Sequence, residues 1–170
     1  MKRRLTTAAA PAALYGMLAA LPGMLAAPVA LAAESAQVWT LAPGGKGERA
    51  ILNYGAPESD ETTLTFSCVP RSGKVRLFVG ETSDKLKPGD KAKAILAAGG
   101  VKTQAQGKIL ANEMAGVPSF EGVIDAKDAL FGALTPAATL AVAVAPSQTA
   151  VPLKDLGDKA ARFAQSCAKP

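Results

Sequence analysis

The chain has 170 residues, of which 19 are basic and 14 acidic, so its formal net charge is +5, and it contains no histidine. Without histidine there is no Ser-His-Asp triad, no Cys-His pair, no H-E-x-x-H metal site and no imidazole base. The composition therefore excludes the commonest designs of secreted hydrolases.

The first segment has the pattern of a secretory signal peptide. Basic residues at positions 2–4 precede an uncharged, Ala- and Leu-rich stretch over 5–27. Small residues at Ala30 and Ala32 then occupy the positions that a signal peptidase requires. The sequence predicts a cleaved signal peptide over 1–32 and export of the remainder to the periplasm or the cell exterior.

Two other interpretations of this segment are weaker. A membrane anchor needs about 20 apolar residues, but Pro11 and Pro22 interrupt the stretch and a cleavage pattern follows it. Arg3 and Arg4 match the start of a twin-arginine signal, yet the apolar pair usual after such arginines is missing. We expect export by the Sec route and no stable membrane span after cleavage.

Signal removal changes the charge of the chain. Three basic residues and no acidic residue lie in the segment, which leaves 16 basic against 14 acidic residues, a net charge of +2. Nucleic-acid binding needs a basic face rather than so small a surplus, so we expect no nucleic-acid partner. Residues 33–170 are long enough to bury a core as one domain.

The predicted domain is mainly β. Short apolar or alternating segments are separated by Gly, Pro, Asn and Asp, which is typical of strands and turns. The predicted strands are 38–41, 49–54, 62–69, 74–79, 91–97, 101–109, 118–124 and 139–145. We expect 139–145, which is apolar throughout, to be a central strand covered on both faces, and 126–134 to be a helical turn capped by Asp125. Seven or eight short strands indicate a small antiparallel β-sandwich or open barrel.

Two patterned segments bring the only two cysteines toward the core. Alternation in the third strand places Leu64, Phe66 and Cys68 on one face. Residues 155–168 have a helical period that puts Cys167 on the apolar stripe. The sequence predicts a C-terminal helix that lies against the sheet.

Cys68 and Cys167 are predicted to form one structural disulfide. An even pair in an exported chain favours a disulfide over free thiols. The pair lacks the C-x-x-C spacing of redox motifs, and two thiols without histidine are too few for a metal site. In the chain-entropy model, a loop of about 100 residues corresponds to roughly 4–5 kcal/mol of stabilisation.

The densest acidic group follows the second strand. Glu58, Asp60 and Glu61 lie in a turn-rich segment that begins at Tyr54, and these four residues form our candidate partner-contact loop. A solvated connecting loop, a calcium site and a catalytic carboxylate site are the alternatives, although no EF-hand pattern is present. The single tryptophan, Trp39, is predicted to be a packing aromatic rather than a ligand platform.

Three short motifs resemble one group of exported proteins. The motifs are Tyr54-Gly-x-Pro-x-Ser-Asp60, Leu64-x-Phe66-x-Cys68 and Phe163-x-x-x-Cys167. Together they are similar to a group of uncharacterised exported bacterial proteins and cover about half of the predicted domain in scattered matches. The resemblance implies an exported protein and no particular activity.

The sequence favours a non-enzymatic exported protein that binds a protein or another envelope component, without a cofactor or metal. One alternative is a small carboxylate-dependent hydrolase acting on cell-wall glycan, because two suitably spaced acids are sufficient for that chemistry. A secreted enzyme inhibitor is the other alternative, suggested by size and compartment alone.

Overall fold

The computed structural model of the protein describes residues 36–170, so the predicted signal peptide and its cleavage site lie outside the described residues. The strands are β1 (Val38–Ala42), β2 (Ala50–Gly55), β3 (Thr62–Cys68), β4 (Lys74–Val79), β5 (Lys91–Ala98), β6 (Val101–Leu110), β7 (Ser119–Asp125), β8 (Thr139–Val144) and β9 (Ser147–Pro152). The helices are α1 (Ala129–Leu134) and α2 (Lys159–Cys167). The prediction of a mainly β domain with a C-terminal helix is confirmed.

Within residues 36–170, nine strands form one antiparallel sheet, which curls into a half-barrel in the order β1-β2-β3-β4-β7-β6-β5-β8-β9. The open-barrel alternative is therefore the one observed. The ninth strand, β9, was missing from the prediction of seven or eight strands. Only one of its side chains, that of Val151, is fully buried, so its sequence lacks the alternation that marks the other strands.

The sheet buries one face, called here the inner face, and exposes the opposite outer face. In β3 the inner side chains Leu64, Phe66 and Cys68 are almost completely buried, as predicted, while the intervening residues are only half-buried. The same period-two alternation recurs in β4 and β5. These strands therefore contribute every second side chain to a single core.

Both helices pack on the inner face. Phe66 of β3, Phe131 of α1 and Phe163 of α2 form an aromatic cluster with ring centroids 5.6–6.5 Å apart. This spacing is that of favourable offset and edge-to-face pairs. The cluster joins the sheet to both helices in the centre of the core.

The start of α1 differs from the prediction. Its N-cap is Asp128 rather than Asp125, and the Asp128 carboxylate accepts hydrogen bonds from the backbone N–H of Leu130 and from the hydroxyl of Thr103 on β6. The cap therefore also attaches the helix to the sheet.

The C-terminal helix and β8 are also corrected by the structure. Helix α2 begins at Lys159, four residues later than predicted, because Gly157 has a left-handed backbone with φ +53°. Strand β8 is next to the edge strand β9 and buries only one face, so it is not a central strand covered on both sides. Two of its three outward positions, 141 and 143, are alanines, which hide the alternation in the sequence.

Glycines on adjacent strands make room for a buried aromatic ring. Gly107 of β6 lies opposite Gly122 of β7, and a β-carbon at either position would approach the ring of Phe120 to within 2.7 Å. The ring therefore occupies space that side chains would otherwise fill. This arrangement places a large core residue close to the backbone of β6 and β7.

One side-chain hydrogen bond joins the two edge strands. The Trp39 indole N–H of β1 donates a 2.8 Å hydrogen bond to the carbonyl of Pro152 at the end of β9. Trp39 is buried and packs on Tyr54 with ring centroids 5.3 Å apart, which confirms its predicted packing role. Within residues 36–170, no helix is long and apolar enough to cross a membrane.

The predicted disulfide is present and lies at one end of the sheet. Cys68 ends β3, Cys167 ends α2, and their Cα atoms are 5.8 Å apart. Beside it, the backbone N–H groups of Arg71 and Gly73 donate to the carbonyls of Ser166 and Cys167 at 2.9 and 2.8 Å. The β3–β4 turn thus satisfies carbonyls that would otherwise lack partners at the helix end. We call this region the clasp end.

Candidate functional site

At the opposite end of the sheet, three loops surround a groove. They are residues 56–61 between β2 and β3, residues 80–90 between β4 and β5, and residues 111–118 between β6 and β7. Antiparallel pairing brings them to the same end, and the insertion of β7 and β6 between β4 and β5 makes them neighbours. The groove has a volume of about 820 Å³. We call this region the groove end.

The groove combines an apolar floor with an acidic lining. Phe78, a half-buried residue on the outer face of β4, contributes the aromatic surface, and Met114 contributes a side chain that is 85% exposed. Within residues 36–170, the charged residues of the lining are Asp60, Glu61 and Glu81, with no lysine or arginine among them. The arrangement provides negative charge beside exposed apolar surface.

Hydrogen bonds hold the backbone of the loops in place. Asn112 donates through its side-chain amide to the carbonyl of Gly80 at 3.0 Å, and its side-chain oxygen accepts from the N–H of Ala115 at 3.3 Å. The Thr82 hydroxyl and N–H both donate to the carbonyl of Pro118, at 2.7 and 2.9 Å. The second and third loops are therefore fastened to each other.

The first loop is closed by its own residues. The N–H of Ala56 donates to the carbonyl of Glu61 at 3.1 Å, and the N–H of Glu61 donates to the Ser59 hydroxyl at 3.0 Å. Gly55 is required at the base of this loop, because a β-carbon there would lie 2.4 Å from the Glu61 carbonyl oxygen. The backbone N–H and carbonyl of Glu61 thus both form hydrogen bonds that close the loop.

The structure separates the four residues of the predicted contact loop. Asp60 and Glu61 line the groove, whereas Glu58 faces a second, smaller depression of about 340 Å³ that Asp60 also borders. Glu58 has a left-handed backbone with φ +57°, a conformation that is uncommon for residues other than glycine. Tyr54 is buried against Trp39 and belongs to the core.

Several groove residues were missed by the sequence analysis. Glu81, Asn112 and Met114 lie in segments for which the sequence predicts only connections between strands. A polar Asn in a turn segment was the one local signal at the third loop. Their proximity to Asp60 depends on strand order, which the sequence pattern does not specify.

The groove carboxylates are not buried. Asp60, Glu61 and Glu81 are all exposed to solvent. A carboxyl group that acts as a general acid near neutral pH generally needs an apolar, desolvated environment. Among residues 36–170, no three carboxylate or thiol side chains converge into a cluster able to hold a metal ion.

Comparison of the chain with protein-family models, with curated proteins and with solved structures found no match in any of the three.

Proposed function

We propose that this is an exported, non-enzymatic binding protein whose groove accepts a positively charged segment of a partner protein or another envelope component. The observation that carries this proposal is the groove lining, which among residues 36–170 has three carboxylates and no lysine or arginine beside Phe78 and Met114. Lysine and arginine side chains present an ammonium or guanidinium group on an apolar stem. A groove that offers both charge and apolar surface is complementary to such side chains.

Two features support the export part of the proposal. The N-terminal pattern is that of a signal peptide, and the Cys68–Cys167 disulfide is a bond favoured in oxidising compartments. Routing by Sec to the periplasm or the exterior is the simplest explanation of both features together.

The groove can be tested with a defined probe, a short lysine-rich peptide containing one phenylalanine. We expect the protein to bind this peptide and not its glutamate-rich counterpart, with an affinity that decreases as salt is added. Asp60→Asn, Glu61→Gln and Glu81→Gln together should reduce the affinity by about tenfold, since an exposed charge pair contributes up to about 1 kcal/mol. Isothermal titration calorimetry measures the affinity directly.

A matched control separates the groove from net charge. Glu48→Gln, Asp155→Asn and Asp158→Asn remove the same charge from exposed positions outside the groove lining. The proposal requires this control to bind like the native protein. Equal losses in the two triple variants, or no binding of the basic peptide by the native protein, would contradict the groove assignment.

The same variants discriminate the alternatives with natural material. Affinity capture from envelope extracts should recover a partner with the native protein and the control, but not with the groove variant. Release of reducing ends from cell-wall glycan by the native protein, and its loss in the groove variant, would instead establish the carboxylate-dependent hydrolase. Capture of an enzyme together with loss of its activity would establish the inhibitor.

A further inference from the structure

The outer face of β5 and β6 has a composition unlike that of the groove. Every outward position of β6 from 102 to 108 is Lys or Gln, and the first two outward positions of β5 are lysines. We call these six residues the lysine face: Lys91, Lys93, Lys102, Gln104, Gln106 and Lys108.

The strand register brings like charges together on this face. Lys91 lies directly opposite Lys108, and Lys93 lies opposite Gln106 on the next outward row. Directly opposed side chains on antiparallel strands have β-carbons about 5 Å apart, and like charges in this position are destabilising. Lys91, Lys93 and Lys108 therefore form a concentrated patch of positive charge that the fold itself does not need.

One acidic residue on a neighbouring strand borders the patch, because Glu121 of β7 lies directly opposite Lys108. On the outer face of β7, Glu121 is paired with Arg76 at 3.2 Å and Asp125 with Lys74 at 3.3 Å. None of the four lysines of the lysine face forms a salt bridge within residues 36–170.

The other side of the face is uncharged. The outward residues of β8 and β9 include no acidic or basic side chain, and alanines occupy positions 141, 143 and 150. These two strands therefore add no negative charge that would neutralise the lysine face.

The shape of the face favours an extended ligand. β5 and β6 pair over eight consecutive residues without a bulge, so outward side chains recur about every 7 Å along each strand. Lysines at both ends of the β6 row enclose two glutamines, which offer hydrogen-bond donors and acceptors to hydroxyl groups.

The same residues argue against a lipid surface as the occupant. Peripheral membrane binding uses large apolar or aromatic side chains that enter the interface. On the outer face of β5 and β6, the largest apolar side chain on the paired rows is the half-buried Ile95. A polymer lying along the strands needs no such insertion.

We propose that the lysine face binds an anionic polysaccharide, a linear chain that carries repeated carboxylate or sulfate groups among its hydroxyls. Its negative groups lie against Lys91, Lys93 and Lys108, and its hydroxyl groups bond to the glutamines. Phe78 of the groove lies on the same outer face, two strands from Lys108, but none of the four lysines lines the groove. The protein would therefore hold a polymer beside the groove while the groove remains open to a cationic partner.

The test uses polygalacturonate as the probe, neutral dextran as a comparison, and phosphatidylglycerol vesicles as the lipid arm. We expect the protein to bind polygalacturonate at low ionic strength, to release it as salt is added, and to ignore dextran. Lys91→Gln, Lys93→Gln and Lys108→Gln together should weaken binding by about tenfold or more, because three exposed charge contacts are lost. Biolayer interferometry with immobilised polymer gives the affinities.

The control variant carries Lys46→Gln, Lys154→Gln and Lys169→Gln, which remove the same charge from exposed lysines away from β5 and β6. It should retain native affinity. A folding defect is checked by thermal unfolding, and relief of the Lys91–Lys108 repulsion predicts that the lysine-face variant is no less stable than the native protein.

Three results would overturn the proposal. They are absence of polygalacturonate binding, equal weakening in both triple variants, and stronger binding to the vesicles than to the polymer. The groove variant Asp60→Asn, Glu61→Gln and Glu81→Gln should bind polygalacturonate at least as well as the native protein, so failure here is distinguishable from failure of the proposed groove function.

Discussion

The clasp end and the groove end of the sheet use their polar groups in different ways. At the clasp end, a disulfide and two backbone hydrogen bonds join the β3–β4 turn to the last turn of α2. At the groove end, hydrogen bonds also hold the loops, but the carboxylates of Asp60, Glu61 and Glu81 extend from that framework into solvent.

Under the proposed function, this difference corresponds to a division between stability and recognition. At the clasp end, the disulfide and the backbone hydrogen bonds join the C-terminal helix to the sheet. At the groove end the loop backbones are fixed while charged side chains stay available to a ligand, an arrangement typical of binding loops on a rigid scaffold. Perturbing each end separately should therefore affect different properties.

The largest effect is expected at the clasp. Cys167→Ser should lower the free energy of unfolding by roughly 4 kcal/mol, because the disulfide closes a loop with a sequence separation of 99 residues. Denaturant unfolding measures the loss, and thiol labelling of unreduced, denatured native protein should find no free thiol in residues 36–170.

Reduced native protein provides the control for this variant, because it loses the bond while keeping both sulfur atoms. It should show most of the same loss of stability. Affinity of the basic peptide, measured well below the unfolding midpoint, should be unchanged. A strong decrease in that affinity would show that the two ends are not independent.

A smaller effect is expected from the framework of the groove. Asn112→Ala removes the bond to the Gly80 carbonyl and the acceptor for the Ala115 N–H. We expect a loss of about 1 kcal/mol in unfolding free energy, together with weaker peptide binding, because only the Thr82 bonds to Pro118 then join the second and third loops.

Gln37→Ala is the comparison for Asn112→Ala. Gln37 also lines the groove, but its hydrogen bond from the Thr63 hydroxyl is exposed. We expect Gln37→Ala to lower the unfolding free energy and the peptide affinity less than Asn112→Ala does. Equal effects of the two substitutions would contradict a special role for Asn112 in positioning the loops.

The smallest expected effect is a dependence of stability on pH that arises from Asp125, at the end of β7 on the clasp side. Hydrogen bonds from the backbone N–H of Lys127 and from the Lys74 ammonium lower the pKa of Asp125 below its ordinary value of 3.8. The ionised carboxylate is thus favoured by folding, and its stabilising contribution is complete above that value and lost as pH falls through the lower, folded-state pKa.

Carbon-detected NMR titration of the Asp125 carboxyl should show this lowered pKa. The Lys74→Gln variant should raise it part of the way toward 3.8, since the backbone bond remains. The stability difference between native protein and Asp125→Asn should decrease on acidification. A midpoint at or above 3.8 would contradict the assigned hydrogen bonds.

Much of the fold could be predicted from the sequence, because in most elements the pattern of apolar side chains matches their burial. The alternation of Leu64, Phe66 and Cys68 identified an inner face, and the helical period of the last segment placed Cys167 on the buried side. The pattern failed at β9, which is an exposed edge strand, and at β8, where outward alanines resemble core residues. In both places solvent exposure depends on neighbouring strands rather than on residue type.

The candidate site was predictable only in part. Asp60 and Glu61 were identified from acidic density in a turn, but Tyr54 is in the core and Glu58 faces another depression. Glu81 and Asn112 carried no distinguishing local pattern. They reach the groove because β7 and β6 lie between β4 and β5, and local sequence does not encode that order.

The sequence by itself determined the β-rich class, the inner face of most strands and the pairing of the two cysteines. These properties follow from local periodicity and from a cysteine inventory that allows one intramolecular bond. Only the tertiary structure decided the single curled sheet, the groove between three loops and the row of lysines facing away from the core. Each of these depends on which strands are neighbours and in what register, and such long-range pairing is set by packing of the whole chain.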